Sequence, residues 1–105
     1  KKGNNLPDEI WVEFKNVNGK KGWLYGGANI IAFDMPEEGG FSIVDRQELA
    51  FFCEKHVRNE FVDHKRDAYL KKYTRKDRED VISILKLHDI KNLMSYRVWE
   101  YDQRY

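Results

Sequence analysis

No run of apolar residues in this 105-residue chain approaches the ~20 needed to cross a bilayer. The basic start at Lys1 and Lys2 leads into Gly-Asn-Asn rather than into an apolar secretory segment, so an intracellular, cytoplasmic protein is expected. Cysteine is nearly absent. Cys53 stands alone, which excludes an internal disulfide, and His56, His64 and His88 are too scattered for a paired Cys/His zinc pattern. Internal repeats and low-complexity segments are also lacking. Gly22, Gly26 and Gly27 match neither a P-loop nor a dinucleotide fingerprint and read as points of backbone flexibility.

What the chain does have is enough apolar surface for one core. At 41% hydrophobic and 14% aromatic it exceeds what a disordered segment carries, and its length fits one domain. The net charge of +1 conceals a local asymmetry. Between residues 65 and 78, Lys65, Arg66, Lys71, Lys72, Arg75, Lys76 and Arg78 face only Asp67 and Asp77, while Asp34, Glu37, Glu38, Glu100 and Asp102 balance the total elsewhere. Such a stretch tracks a nucleic-acid backbone or is simply a solvated face.

Periodicity divides the domain into a sheet core over 8–45, a helical part over 46–94 and a tail over 95–105. After a polar loop over 1–8, Ile10, Val12 and Phe14 alternate with Trp11, Glu13, Lys15 and Val17, predicting a strand. Asn18-Gly19 supplies a turn. Residues 28–35 and 41–45 predict two further strands separated by Pro36-Glu-Glu-Gly-Gly40, and three successive strands predict one sheet. Asp45, with Glu48 three positions on, predicts an N-cap and a helix over about 46–60 that carries Leu49, Phe52, Cys53 and His56 on its apolar stripe. On that stripe Cys53 reads as a small buried hydrophobe. Residues 61–73 predict an extension of this helix. Thr74 then predicts a cap for a second helix with Val81, Ile84, Leu85 and His88 on its apolar face, and Asp89 the start of a short third helix through Met94. His56 and His88 are accordingly expected at the core or its boundary, and 96–105 as an edge strand or ordered tail.

Glu13 and Lys15 carry the chemical question. Two positions apart on a regular strand, their side chains share a face at ~6.6 to 6.8 Å. A carboxylate holding Mg²⁺ and a lysine orienting or deprotonating the nucleophile are parts of metal-assisted phosphodiester hydrolysis. The tripeptide alone is weak, since Asp63 to Lys65 and Asp89 to Lys91 repeat it, and an exposed Glu-Lys pair on a solvated face is the plain alternative. Nearby, Lys20, Lys21 and Trp23 suit contact with phosphates and bases, and Trp23 equally suits a core position.

In longer context, "IWVEFKNVNGKKGWLYGGANIIAF" followed by "GGFSIVDRQEL", residues 10–49, resembles the catalytic core of the PD-(D/E)XK nuclease superfamily. More narrowly it is similar to phage and mobile-element proteins in which Glu-x-Lys-Asn-Val precedes Gly-Trp-Leu. The resemblance implies an α/β (α+β) restriction-endonuclease-like fold, a small central mixed β-sheet flanked by helices. It also implies a DNA endonuclease dependent on Mg²⁺ or Mn²⁺ that is phage-encoded, works in the bacterial cytoplasm and acts as a homodimer. It assigns Glu13 as metal ligand, Lys15 as catalytic lysine and the Phe14 carbonyl as a further ligand. The superfamily also requires an acid on the preceding strand. Asp8, after Pro7, is the literal match, but ~17 Å of extended chain separates it from Glu13; the first strand and its acid are therefore expected upstream of Lys1. A non-catalytic binding module on the same fold is the alternative.

Overall fold

β1 (Glu9–Lys15) forms where the alternation predicts it, with Ile10, Val12 and Phe14 buried and Trp11 and Glu13 half-buried on the opposite face of the computed structural model, which describes residues 8–102. Residues 1–7 of the loop predicted over 1–8 and the last three tail residues lie outside the described residues. A turn with Gly19 at φ +77°, a conformation that favours glycine, and a 3-10 turn at Trp23–Tyr25 follow. β2 (Ile30–Met35) and β3 (Gly40–Asp45) then pair antiparallel across a turn in which Gly39 takes φ +78°.

The three strands do not make one sheet. β2 and β3 join β7 (Arg97–Glu100) in a three-stranded antiparallel sheet, ordered β2-β3-β7. β1 pairs antiparallel with β6 (Val81–Lys86) in a four-stranded sheet ordered β1-β6-β5-β4, where β4 is Phe61–Val62 and β5 is Lys72–Tyr73. The connection after β1 carries its own 3-10 turn with Leu24 fully buried, too much structure for a hairpin, so β1 is free to pair with β6. The fold is thus mixed α and β with two sheets.

β6 also corrects the predicted second helix. Val81, Ile84, Leu85 and His88 fit a helical stripe, but Val-Ile-Ser-Ile-Leu is an apolar, β-branched run interrupted only by Ser83, as in a strand covered on both faces. Val81, Ser83, Ile84 and Leu85 are all buried. Residues 61–73 are likewise no helix but two short strands flanking a 3-10 turn at Lys65–Asp67. The third helix is shorter than predicted and starts earlier, at α2 (Leu87–Ile90).

α1 (Arg46–His56) stops four residues short of its predicted end and packs Leu49, Ala50 and Cys53 into a core shared with Val12, Leu85, Val44 and Ile90. Burial pushes the Cys53 thiol up to about 12, which keeps it protonated and agrees with its reading as a small hydrophobe. Among the described residues no helix is long and apolar enough to cross a membrane.

The N-terminus of α1 also fixes the far end of the chain. Asp45 Oδ2 accepts the Glu48 N–H at 2.9 Å, as a cap should. Glu48 does not reach back to Asp45. It accepts the N–H groups of Met94 and Ser95 at 2.7 and 2.9 Å and the Ser95 hydroxyl at 2.5 Å, while Ser95 Oγ accepts the Asp45 N–H at 2.8 Å. The capping box is closed through Ser95, which pins the segment entering β7 onto α1.

These bonds, the Ser95 hydroxyl foremost, lower the Glu48 pKa from 4.5 in the folded state. A depressed carboxylate contributes stability that is present above its unfolded value and lost as pH falls through the folded one. Urea unfolding should therefore show Glu48→Gln weakening the protein at neutral pH, with the difference from wild type shrinking below pH ~4. Ser95→Ala should cost about 1 kcal/mol.

Candidate functional site at the end of strand β1

Strand alternation would place Lys15 on the same face as Glu13, but the pairing with β6 is not regular there. Glu13 opposes Ile82 and Lys15 opposes Val81, so Phe14 and Lys15 together face a single residue. This is a β-bulge, and it breaks the period-two rule on which the shared face depends. Phe14 is buried against the core. Lys15 lines a cleft of ≈ 400 Å³ with Phe14, Gly19, Lys21 and Tyr25. Glu13 turns instead to the following segment.

There Glu13 Oε1 accepts the Trp23 N–H at 3.1 Å, and the Phe14 carbonyl accepts the Gly22 N–H at 2.8 Å. The other carboxylate oxygen has no protein partner among the described residues. Gly22 makes this approach possible. Its φ of −80° suits any residue, so the requirement is space: a Cβ there would lie 2.4 Å from the Glu13 carbonyl oxygen and 2.8 Å from Glu13 Cγ. Close packing explains this glycine, where the sequence suggested flexibility.

Tyr25 closes the cleft beside Lys15. Its hydroxyl donates to Glu54 at 2.8 Å, and burial together with that carboxylate pushes its pKa up to about 12, so it stays neutral. Lys20 and Lys21 are exposed, and Lys21 shares the Lys15 cleft. Trp23 is half-buried, its ring tilted at 6.1 Å from Phe33, on the core side of the two roles open to it.

Other residues singled out in the sequence lie elsewhere. Asp8 stands at the opposite end of β1, where its carbonyl accepts the Leu87 N–H at 2.9 Å and its charge helps raise the Tyr69 pKa. It does not join Glu13. Lys71 pairs with Glu60 at 3.3 Å, and Lys72 bonds Asn59 Oδ1 at 3.2 Å while lying over the Phe14 ring. Arg75 forms a salt bridge with Asp80, a carboxylate only 4% exposed whose Oδ1 has no hydrogen-bond partner among the described residues. Lys76 and Arg78 are exposed in the turn before β6. No sequence signal points to the Asp80 pair, because Asp80 lies inside the helix predicted from Thr74. His56 and His88, expected at the core or its boundary, are exposed, since α1 turns His56 outward beside Phe52 and β6 ends before His88.

No group of three or more His, Cys, Asp or Glu side chains placed to hold a metal ion occurs among the described residues. Mg²⁺ needs fewer, since it is commonly held by one or two carboxylates with waters and substrate phosphates completing the shell. The unpartnered Glu13 oxygen and the remaining lone pair of the Phe14 carbonyl fit that sparse donor set. No family model matches the chain, and neither a curated protein nor a solved structure is detectably similar to it.

Gly22→Ala should lower stability by about 1 to 3 kcal/mol, because the intruding methyl group meets backbone that must shift. Gly27→Ala, whose methyl group would meet nothing within 4 Å, should leave the thermal midpoint near that of wild type.

Proposed function

We propose that the chain is the core of a divalent-metal-dependent deoxyribonuclease, with Glu13 as the metal-holding carboxylate and Lys15 as the catalytic lysine. The observation that carries this reading is the state of Glu13: a half-buried carboxylate with one oxygen oriented by a backbone N–H and the other left without a protein partner among the described residues. It stands next to a β-bulge, a device that re-aims side chains beside active sites. Bound Mg²⁺ or Mn²⁺ would neutralise charge on the scissile phosphate and lower the pKa of a water. Glu13 and the Phe14 carbonyl would hold it. Lys15, with Lys21 in the same cleft, brings positive charge to the phosphate, where it stabilises the charge that builds up during attack. A DNA substrate, phage origin, work in the bacterial cytoplasm and pairing of two copies to cut two strands follow from the resemblance over residues 10–49.

A second reading is supported by one specific observation. Glu13 and the Phe14 carbonyl both hold residues 22–23 in place, a duty that needs no metal, so the fold also suits a non-catalytic nucleic-acid-binding or protein-binding module.

Nicking of supercoiled plasmid with Mg²⁺ or Mn²⁺ decides between them. On the nuclease reading, Glu13→Gln and Lys15→Ala each reduce nicking by about 100-fold or more while circular dichroism stays that of wild type. Full nicking by both variants overturns the site. DNA binding with no nicking, both by this chain and by one extended upstream in the same gene, leaves the binding module.

A further inference from the structure

We propose that the face of the β1-β6-β5-β4 sheet that carries Glu13 also bears a groove for the phosphodiester backbone of a nucleic acid, running across Tyr69 with Arg66 at its middle. Two clefts make the groove. One of ≈ 550 Å³ lies between Glu9 of β1, Lys86 of β6 and the 3-10 turn that carries Lys65 and Arg66. Its neighbour of ≈ 440 Å³ is lined by Arg58, Asp67 and Lys71, and the two share Arg66 and Tyr69. Five cationic side chains line the pair, Arg58, Lys65, Arg66, Lys71 and Lys86, against the two acids Glu9 and Asp67, and Lys71 is also paired with Glu60 outside the clefts.

Two of those cations are carried on aromatic rings. Lys86 Nζ lies 5.1 Å from the Tyr69 ring centre and Lys65 Nζ 5.7 Å from that of Trp11. A cation held this way is attracted to the ring. Tyr69 is itself anchored, its hydroxyl donating to Asp89 at 2.9 and 3.1 Å. A single phosphate would occupy one cleft. Two adjoining cationic clefts joined through one arginine match a linear polyanion with repeating charge, and half-buried rings beside them suit bases or sugars.

The position relates the groove to the proposed site. Glu9, Trp11 and Glu13 project from one face of β1, and Glu9 and Glu13 are ~13 Å apart along the strand. The groove and Glu13 thus lie on one face of the same sheet. The choice of a nucleic acid as occupant rests on the nuclease reading, whereas the groove rests on its own charges. The cations involved overlap only in part with the basic run of the sequence, which supplies Lys65, Arg66 and Lys71. Arg58 and Lys86 lie outside the 65–78 run, and within that run Arg75 is bound to Asp80.

Fluorescence anisotropy in EDTA tests the proposal without hydrolysis, using a fluorescein-labelled oligonucleotide of about 20 residues as single strand and as duplex. Arg66→Glu and Lys86→Glu should each weaken binding by about tenfold or more and reduce the salt slope by at least about one. Arg97→Glu, on the other sheet, should change affinity less than about twofold. Arg58→Glu, at an exposed position, replaces Lys86→Glu if the latter unfolds. The tighter-binding arm identifies single strand or duplex as the occupant. Unchanged binding in Arg66→Glu together with Lys86→Glu or its replacement, or an equal loss in Arg97→Glu, overturns the groove. So does binding to phosphatidylglycerol vesicles with none to either oligonucleotide. Binding that holds in Glu13→Gln, while neither this chain nor one extended upstream in the same gene nicks, removes the nuclease reading and leaves the groove.

Discussion

The antiparallel pairing of β1 with β6 is the constraint on which the rest of the structure depends. It joins residues 9–15 to residues 81–86, so chain closure over the intervening segment must be offset by burial. Ile10, Val12 and Leu85 turn inward to meet α1 and the second sheet, while Ile84 is buried on the other face beneath the 61–73 segment. The same pairing places Glu9 opposite Lys86 at one end and Phe14 and Lys15 opposite Val81 at the other. One strand pair thus presents a cationic groove and a bulged Glu-Phe-Lys segment.

Glu13 holds a loop on this scaffold, and on the proposed reading it is a metal ligand as well. Its bond to the Trp23 N–H, together with the Phe14 carbonyl bond to Gly22, holds the loop that follows the strand. A hydrogen bond to a charged acceptor contributes about 1.5 to 3 kcal/mol, so the loop gains order from the same carboxylate whose other oxygen has no protein partner among the described residues. Gly22 permits both, because any side chain there would displace the Glu13 backbone. The glycine, the bulge and the carboxylate act as one unit.

The elements legible in the sequence were those set by local chemistry. The alternation of β1, the turns at Gly19 and Gly39 and the Asp45 cap depend on neighbours a few positions away, and all formed. What depends on distant partners was not legible. Val81 to Leu85 satisfies both a helical stripe and a buried strand, and only its place between β1 and β5 decides for the strand. The separation of β1 from β2 and β3 has the same origin. Glu13 and Lys15 are legible as residues, but the face they are expected to share is broken by the bulge, which is a property of two strands and cannot be read from β1 alone. The basic run from Lys65 to Arg78 was visible as charge. Its division into an Asp80 partner, a Glu60 partner and the wall of a groove was not, since Arg58 and Lys86 enter that wall from other parts of the chain.

The most direct measurement is a Mn²⁺ titration followed by paramagnetic broadening of backbone amide resonances. The account predicts that broadening begins at Phe14, Lys15, Gly22 and Trp23 and disappears in Glu13→Gln. Broadening that is absent there, or that begins at the Asp8 and Asp89 end of the strand, would contradict it.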